Sequence, residues 1–82
     1  FQLSIIFNQK LSDEMFNKIL IILNKNSKEV DFTSMSSVTK ETSVHFEIFP
    51  NSAKSISIIN KELNQQVKSS KVIFSRKENI SL

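Results

Sequence analysis

Phe1-Gln2-Leu3-Ser4-Ile5-Ile6-Phe7 gives way across Asn8-Gln9-Lys10 to Leu11-Ser12-Asp13-Glu14-Met15-Phe16, and then to the apolar run Ile19-Leu20-Ile21-Ile22-Leu23. In the first piece Phe1, Leu3, Ile5 and Phe7 alternate with Gln2, Ser4 and Asn8, the period of a strand with one buried face. Ile6 breaks the alternation, so the second face is expected to be partly covered. In the second piece the period changes from two to three and four. Met15, Phe16, Ile19, Leu20, Ile22 and Leu23 form a wide apolar stripe on a helix. Ser12 is placed to cap its free N–H groups, Asp13 and Glu14 suit the positive end of its dipole, and Leu11 and Phe16 hold the two positions of a hydrophobic staple. The stripe ends at Asn24-Lys25-Asn26-Ser27, where Asn is the available substitute for a left-handed glycine cap.

The same two periods return downstream. Val30 and Phe32 alternate with Glu29, Asp31 and Thr33 within a strand read over Glu29 to Val38. Val44, Phe46 and Ile48 alternate with His45 and Glu47 over Ser43 to Phe49. A polar turn near Thr39 to Thr42 makes the two a hairpin. Pro50 stops the second strand, and Asn51 or Ser52 caps a helix with Ala53, Ile56, Ile59, Asn60, Leu63 and Val67 along one face. Val72 to Phe74 reads as a last short strand. Ile80 to Leu82 reads as an extra edge strand after a turn over Arg76 to Asn79.

Strand, helix, strand, strand, helix, strand is the order of a ferredoxin-like βαββαβ sandwich, an α+β fold. Right-handed crossovers place both helices on one face of a four-stranded antiparallel sheet. Residues 1–75 are read as one domain and 76–82 as its appended turn and strand. The open sheet face is expected to show Gln2, Ser4, Ile6, Asp31, Thr33, Met35, His45, Glu47 and Phe49. Ile6, Met35, His45 and Phe49 are the candidate interface residues on it.

Eighty-two residues with 39% hydrophobic content and seven phenylalanines support one small core. A chain of that size buries only about 60–65% of the surface its unfolded form exposes. Its longest apolar run, Ile19 to Leu23, is five residues, far short of the ~20 that span a bilayer. Absence of cysteine removes disulfides and thiol chemistry and fits either the cytosol or an extracytoplasmic domain. The start at Phe1, without Met, reads as a domain cut from a longer protein. Residues 1–60 hold six Lys and six acidic side chains, so the net charge of +3 comes from the last 22 residues. Lys68, Lys71, Arg76 and Lys77 form a candidate basic patch there, read first as a solvated face.

The chain has no glycine. Phosphate-cradling loops, nucleotide fingerprints and nucleophile elbows need glycine where backbone approaches a ligand or takes positive φ. His45 is the one histidine, so no His/Cys zinc cluster is expected. Asp13 and Glu14 point apart on a helix and read as dipole complements. Asp31 and Glu47 read as surface ion-pair partners of Lys28 and Lys40 rather than as an acid–base pair. No catalytic, cofactor or metal residue is therefore assigned, and the expected activity is non-enzymatic. The RNA-binding module that shares this fold stacks bases on strand aromatics. Over Thr39 to Phe46 only Lys40, Val44 and Phe46 fit it, and Glu41 and Ser43 occupy the stacking positions. Ala53, Ile56 and Asn60 match its helix spacing as any amphipathic helix would. Nucleic acid is not the expected partner.

Ser36-Ser37 followed by Ser43-Val44-His45-Phe46-Glu47-Ile48, with Glu62-Leu63 later, resembles the small bacterial YbeD-like proteins, whose fold is ACT-like. The resemblance spans Phe1 to about Phe74. It departs at Lys40 and Glu41-Thr42, where the family has a turn glycine and an aromatic. The chain is similar at a coarser level to regulatory ACT domains such as the acetolactate synthase small subunit. Those domains usually bind an effector at a glycine-bearing turn, which here is Asn8-Gln9-Lys10-Leu11-Ser12, without glycine. The resemblance implies a regulatory or protein-interaction domain that pairs with itself or with a larger protein through its sheet face or edges. Two other expectations stand beside it: a scaffold domain of an extracytoplasmic secretion or pilus assembly, and an atypical RNA-binding domain using the Lys68, Lys71, Arg76, Lys77 patch.

Overall fold

A computed structural model describes residues 1–67 and 71–75. The turn read over Arg76 to Asn79, the strand read over Ile80 to Leu82, and Lys68, Arg76 and Lys77 lie outside the described residues. The elements run β1 (Gln2–Phe7), α1 (Asp13–Asn26), β2 (Ser27–Val38), β3 (Glu41–Pro50), α2 (Ala53–Gln66) and β4 (Lys71–Ser75). The four strands form one sheet in the order β2-β3-β1-β4, with antiparallel pairing throughout. The result is an α+β fold of two layers, a four-stranded antiparallel sheet and two helices.

Alternation decides which sheet face is covered. Leu3, Ile5 and Phe7 of β1 and Val44, Phe46 and Ile48 of β3 are buried on one face, against Ile19, Ile22 and Leu23 of α1, Ile59 and Leu63 of α2, and Val67 at its end. Register places Leu3 opposite Phe46 and Ile5 opposite Val44, so the two central strands present one apolar surface. Each of these side chains contributes about 1.5–3 kcal/mol on leaving water. Together they hold the two layers.

Helix α1 begins as its sequence dictates, with the Met15 N–H donating to Ser12 Oγ at 3.2 Å. Its end differs from the expected left-handed cap. Asn26 and Ser27 pass directly from helix to extended backbone, Ser27 having φ −135° and ψ 148°. The capping role is taken by a neighbour instead, the Asn51 N–H donating to the Asn26 carbonyl at 3.1 Å, while Asn26 Nδ2 adds a second donor to the Ile22 carbonyl at 2.8 Å. In α2 the buried row is Ser55, Ile59, Leu63 and then Val67, rather than a row through Ala53 and Asn60, which are exposed. Ser55 fits inside because its hydroxyl is satisfied locally, accepting from the Ser52 N–H at 3.2 Å and lying 3.3 Å from Ser52 Oγ.

The hairpin turns at Thr39-Lys40, and Thr39 has φ 57°. A β-branched residue in the left-handed region is strained by about 1–2 kcal/mol, and a chain without glycine has no relief for it. Thr39→Gly is expected to raise stability by up to about 1 kcal/mol, the relief being partly offset by unfolded-state entropy. Thermal unfolding would report this as a midpoint about 4–8 °C higher.

Candidate interaction surface

Two surfaces emerge from the register. On the open face, β1 contributes Gln2, Ser4 and Ile6, whose β3 partners are Glu47, His45 and Ser43 and whose β4 partners are Ser75, Ile73 and Lys71. Across the other side of β3, Glu29 stands opposite Phe49, Asp31 opposite Glu47, and Ser34 opposite His45. Three of the four candidate interface residues, Ile6, His45 and Phe49, thus lie on this face. His45 Nδ1 is 2.8 Å from Ser4 Oγ, over a cavity of about 330 Å³ whose lining includes Gln2, Thr33 and Ser34. Asp31 and Glu47 do meet across the hairpin.

Met35 is on the opposite face, and this corrects its assignment to the open one. Phe32 pairs with Phe46 but Ser34 pairs with His45, leaving Thr33 as an extra residue. A bulge of this kind reverses which residues face the core for the rest of the strand. Met35 therefore pairs with the core residue Val44 and turns toward the helices. Thr33 secures the bulge by donating its hydroxyl to the His45 carbonyl at 2.8 Å.

Displacement of Met35 builds a second surface that period-two reading misses. A groove of about 300 Å³ runs between the start of α1 and β2, lined by Leu11, Ser12, Asp13, Phe16, Phe32 and Met35. Its floor is a cluster of three rings. Phe32 meets Phe16 edge-on at 5.6 Å and Phe46 at 5.8 Å, while Phe16 and Phe46 stack at 6.1 Å. Such contacts add about 0.5–1.5 kcal/mol per pair beyond burial. Phe32 and Met35 nevertheless remain 50% and 54% exposed. The signal that could have located this groove is the spacing Val30, Phe32, Met35, where a step of two becomes a step of three inside a strand.

Among the described residues β2 is also the edge of the sheet, so one side of its backbone faces no other described strand. Natural edges are usually short, charged or interrupted by proline. This one is twelve residues long, and from Phe32 to Thr39 it carries no charge and no proline. Of the basic patch, Lys71 lies in β4 opposite Ile6. Among the described residues no group of three or more His, Asp or Glu side chains is placed to hold a metal ion, and no helix is long and apolar enough to cross a membrane. No protein-family model, curated protein or solved structure matches the chain.

Proposed function

We propose that the chain is a non-catalytic interaction domain of the ferredoxin-like, ACT-like kind, working by strand addition at β2 and by occupation of the adjoining groove. The observation that carries this reading is the uncharged edge from Phe32 to Thr39 with Phe32, Met35 and Val38 exposed beside it. Strand addition uses main-chain hydrogen bonds for affinity and side-chain pockets for specificity, and β2 offers a free edge with a pocket alongside. The ferredoxin-like assignment is supported by the order of elements and by the strand order β2-β3-β1-β4. The resemblance to ACT-like proteins supports a regulatory setting, in which the domain controls a larger protein.

The test compares the chain with Met35→Lys, which puts charge into the groove without touching the core. Sedimentation of each, alone and with proteins of the source cell, is expected to show complexes that the variant loses. A strict monomer that retains no partner in a Met35-dependent way would overturn the reading.

A further inference from the structure

The two helices repeat one pattern away from the core. In α1, Lys18, Ile21 and Lys25 follow one another at steps of three and four. In α2, Lys54, Ile58 and Lys61 follow at steps of four and three. Such spacing sets each trio on one side of its helix. The buried rows, which run through Ile19, Ile22 and Leu23 in α1 and through Ser55, Ile59 and Leu63 in α2, do not include them. All six side chains are exposed, Ile21 to 66% and Ile58 to 44%. Lys25 of α1 reaches Glu62 of α2 at 3.0 Å, so the two rows meet across the seam between the helices and form one surface.

Charge on that surface is one-sided. Its carboxylate at the seam, Glu62, is held by Lys25, and among the described residues no carboxylate pairs with Lys18, Lys54 or Lys61. Asp13 and Glu14 belong to the first turn of α1 and end the row there. In the sheet layer the β2–β3 hairpin carries Glu29, Asp31, Glu41 and Glu47 against Lys28 and Lys40. The helix layer is therefore basic from Lys18 onward and the hairpin acidic.

An acidic protein or a nucleic acid would match the lysines but leave the isoleucines unused. Apolar side chains standing out among lysines match a layer that is anionic at its surface and apolar beneath. We propose that the helix layer docks on a bilayer surface containing anionic lipids, with Lys18, Lys54 and Lys61 on the lipid phosphates and Ile21 and Ile58 in the headgroup boundary. Lysine suits this place because its apolar stem lies along the boundary while its ammonium stays at the phosphates. The contact is peripheral, since no described helix is long and apolar enough to cross a membrane. Charge also sets the orientation, because an anionic surface attracts the helix layer and repels the hairpin. The inference does not rest on the strand-addition reading, as none of the six residues lies in β2 or lines its groove.

The experiment is flotation of the whole chain with vesicles of phosphatidylcholine, alone or mixed with phosphatidylglycerol. Binding is expected to the mixed vesicles only, and to weaken as salt rises and screens the lysines. Lys18→Gln, Lys54→Gln and Lys61→Gln together are expected to weaken it on the order of a hundredfold, about fivefold for each charge. Ile21→Ser with Ile58→Ser leaves the charge unchanged and is expected to weaken it at least about tenfold. Lys28→Gln with Lys40→Gln, on the hairpin, is expected to change it little. These positions are exposed, so circular dichroism should match the unmodified chain in every variant. Heparin serves as a soluble polyanion without an apolar layer. Absence of binding to the mixed vesicles overturns the proposal, and so does binding that survives the helix lysine exchange or falls equally with the hairpin exchange. Binding to heparin together with isoleucine variants that hold vesicles as tightly as the unmodified chain would identify a polyanion as the partner and overturn the bilayer.

Discussion

Phe46→Ala is expected to destabilise the fold by about 3–5 kcal/mol, the usual cost of removing a buried ring. The position justifies the upper part of that range. Phe46 is 1% exposed on the central strand β3, opposite Leu3 on one side and Phe32 on the other. It also stacks on Phe16 of α1, so the cavity would open where three elements meet. A chain of 82 residues has a total stability of only about 4–12 kcal/mol. The variant is therefore expected to lose a third or more of it and to unfold at a much lower urea concentration. Phe32→Ala supplies the contrast. Its ring belongs to the same cluster but is half in water, and its loss is expected to cost about 1 kcal/mol, chiefly from the ring contacts. Its larger effect should fall on association through β2. If the two variants lost equal stability, Phe32 would belong to the core rather than to the interaction surface.

The difference between those two rings also marks where sequence reasoning succeeds and fails. β1 and β3 are legible because their periods are uninterrupted and one side is wholly buried. A single slip would turn Leu3, Ile5 and Phe7 out of the core. The start of α1 is legible because Ser12 and the two acids after it answer a local need of free N–H groups. β2 is less so. An edge strand with one neighbour buries little, so its side chains carry a weak period, and a one-residue bulge goes unseen unless the odd step from Phe32 to Met35 is noticed. The groove depends on that bulge and was hidden with it. The end of α1 departs from its sequence pattern for a different reason. A left-handed cap is a local device, and what replaces it at Asn26 comes from Asn51, twenty-five positions away in sequence, where no local pattern points.

That junction provides the second large effect. Asn26 joins the end of α1, the start of β2 and the loop before α2, and its side chain is almost wholly buried. Its amide donates to the Ile22 carbonyl at 2.8 Å and to Glu62 Oε2 at 3.4 Å, while Lys25 Nζ holds Glu62 Oε1 at 3.0 Å. The Lys25 pair is 61% exposed on its lysine side and contributes little by itself. The amide matters more, because it is buried and adds a second donor to the Ile22 carbonyl, which as a helix carbonyl already accepts from the Asn26 N–H. Asn26→Ala is expected to cost about 0.5–1.5 kcal/mol, the net worth of a buried hydrogen bond. Asn26→Asp is the sharper probe, since it keeps the shape and replaces the donor with an acceptor. At neutral pH the introduced carboxylate faces the Ile22 carbonyl and the Glu62 carboxylate, both negative, so the loss should exceed that of Asn26→Ala. Burial and those neighbours favour the protonated form in the folded state and raise the folded pKa above the unfolded value. The variant must then recover stability relative to the wild type as pH falls through the folded pKa, because the protonated acid can donate to Ile22 as the amide does. Urea titrations of both variants from pH 7 downward read this directly. A gap between Asn26→Asp and the wild type that stayed constant with pH would mean that the Asn26 amide does not face the helix carbonyl.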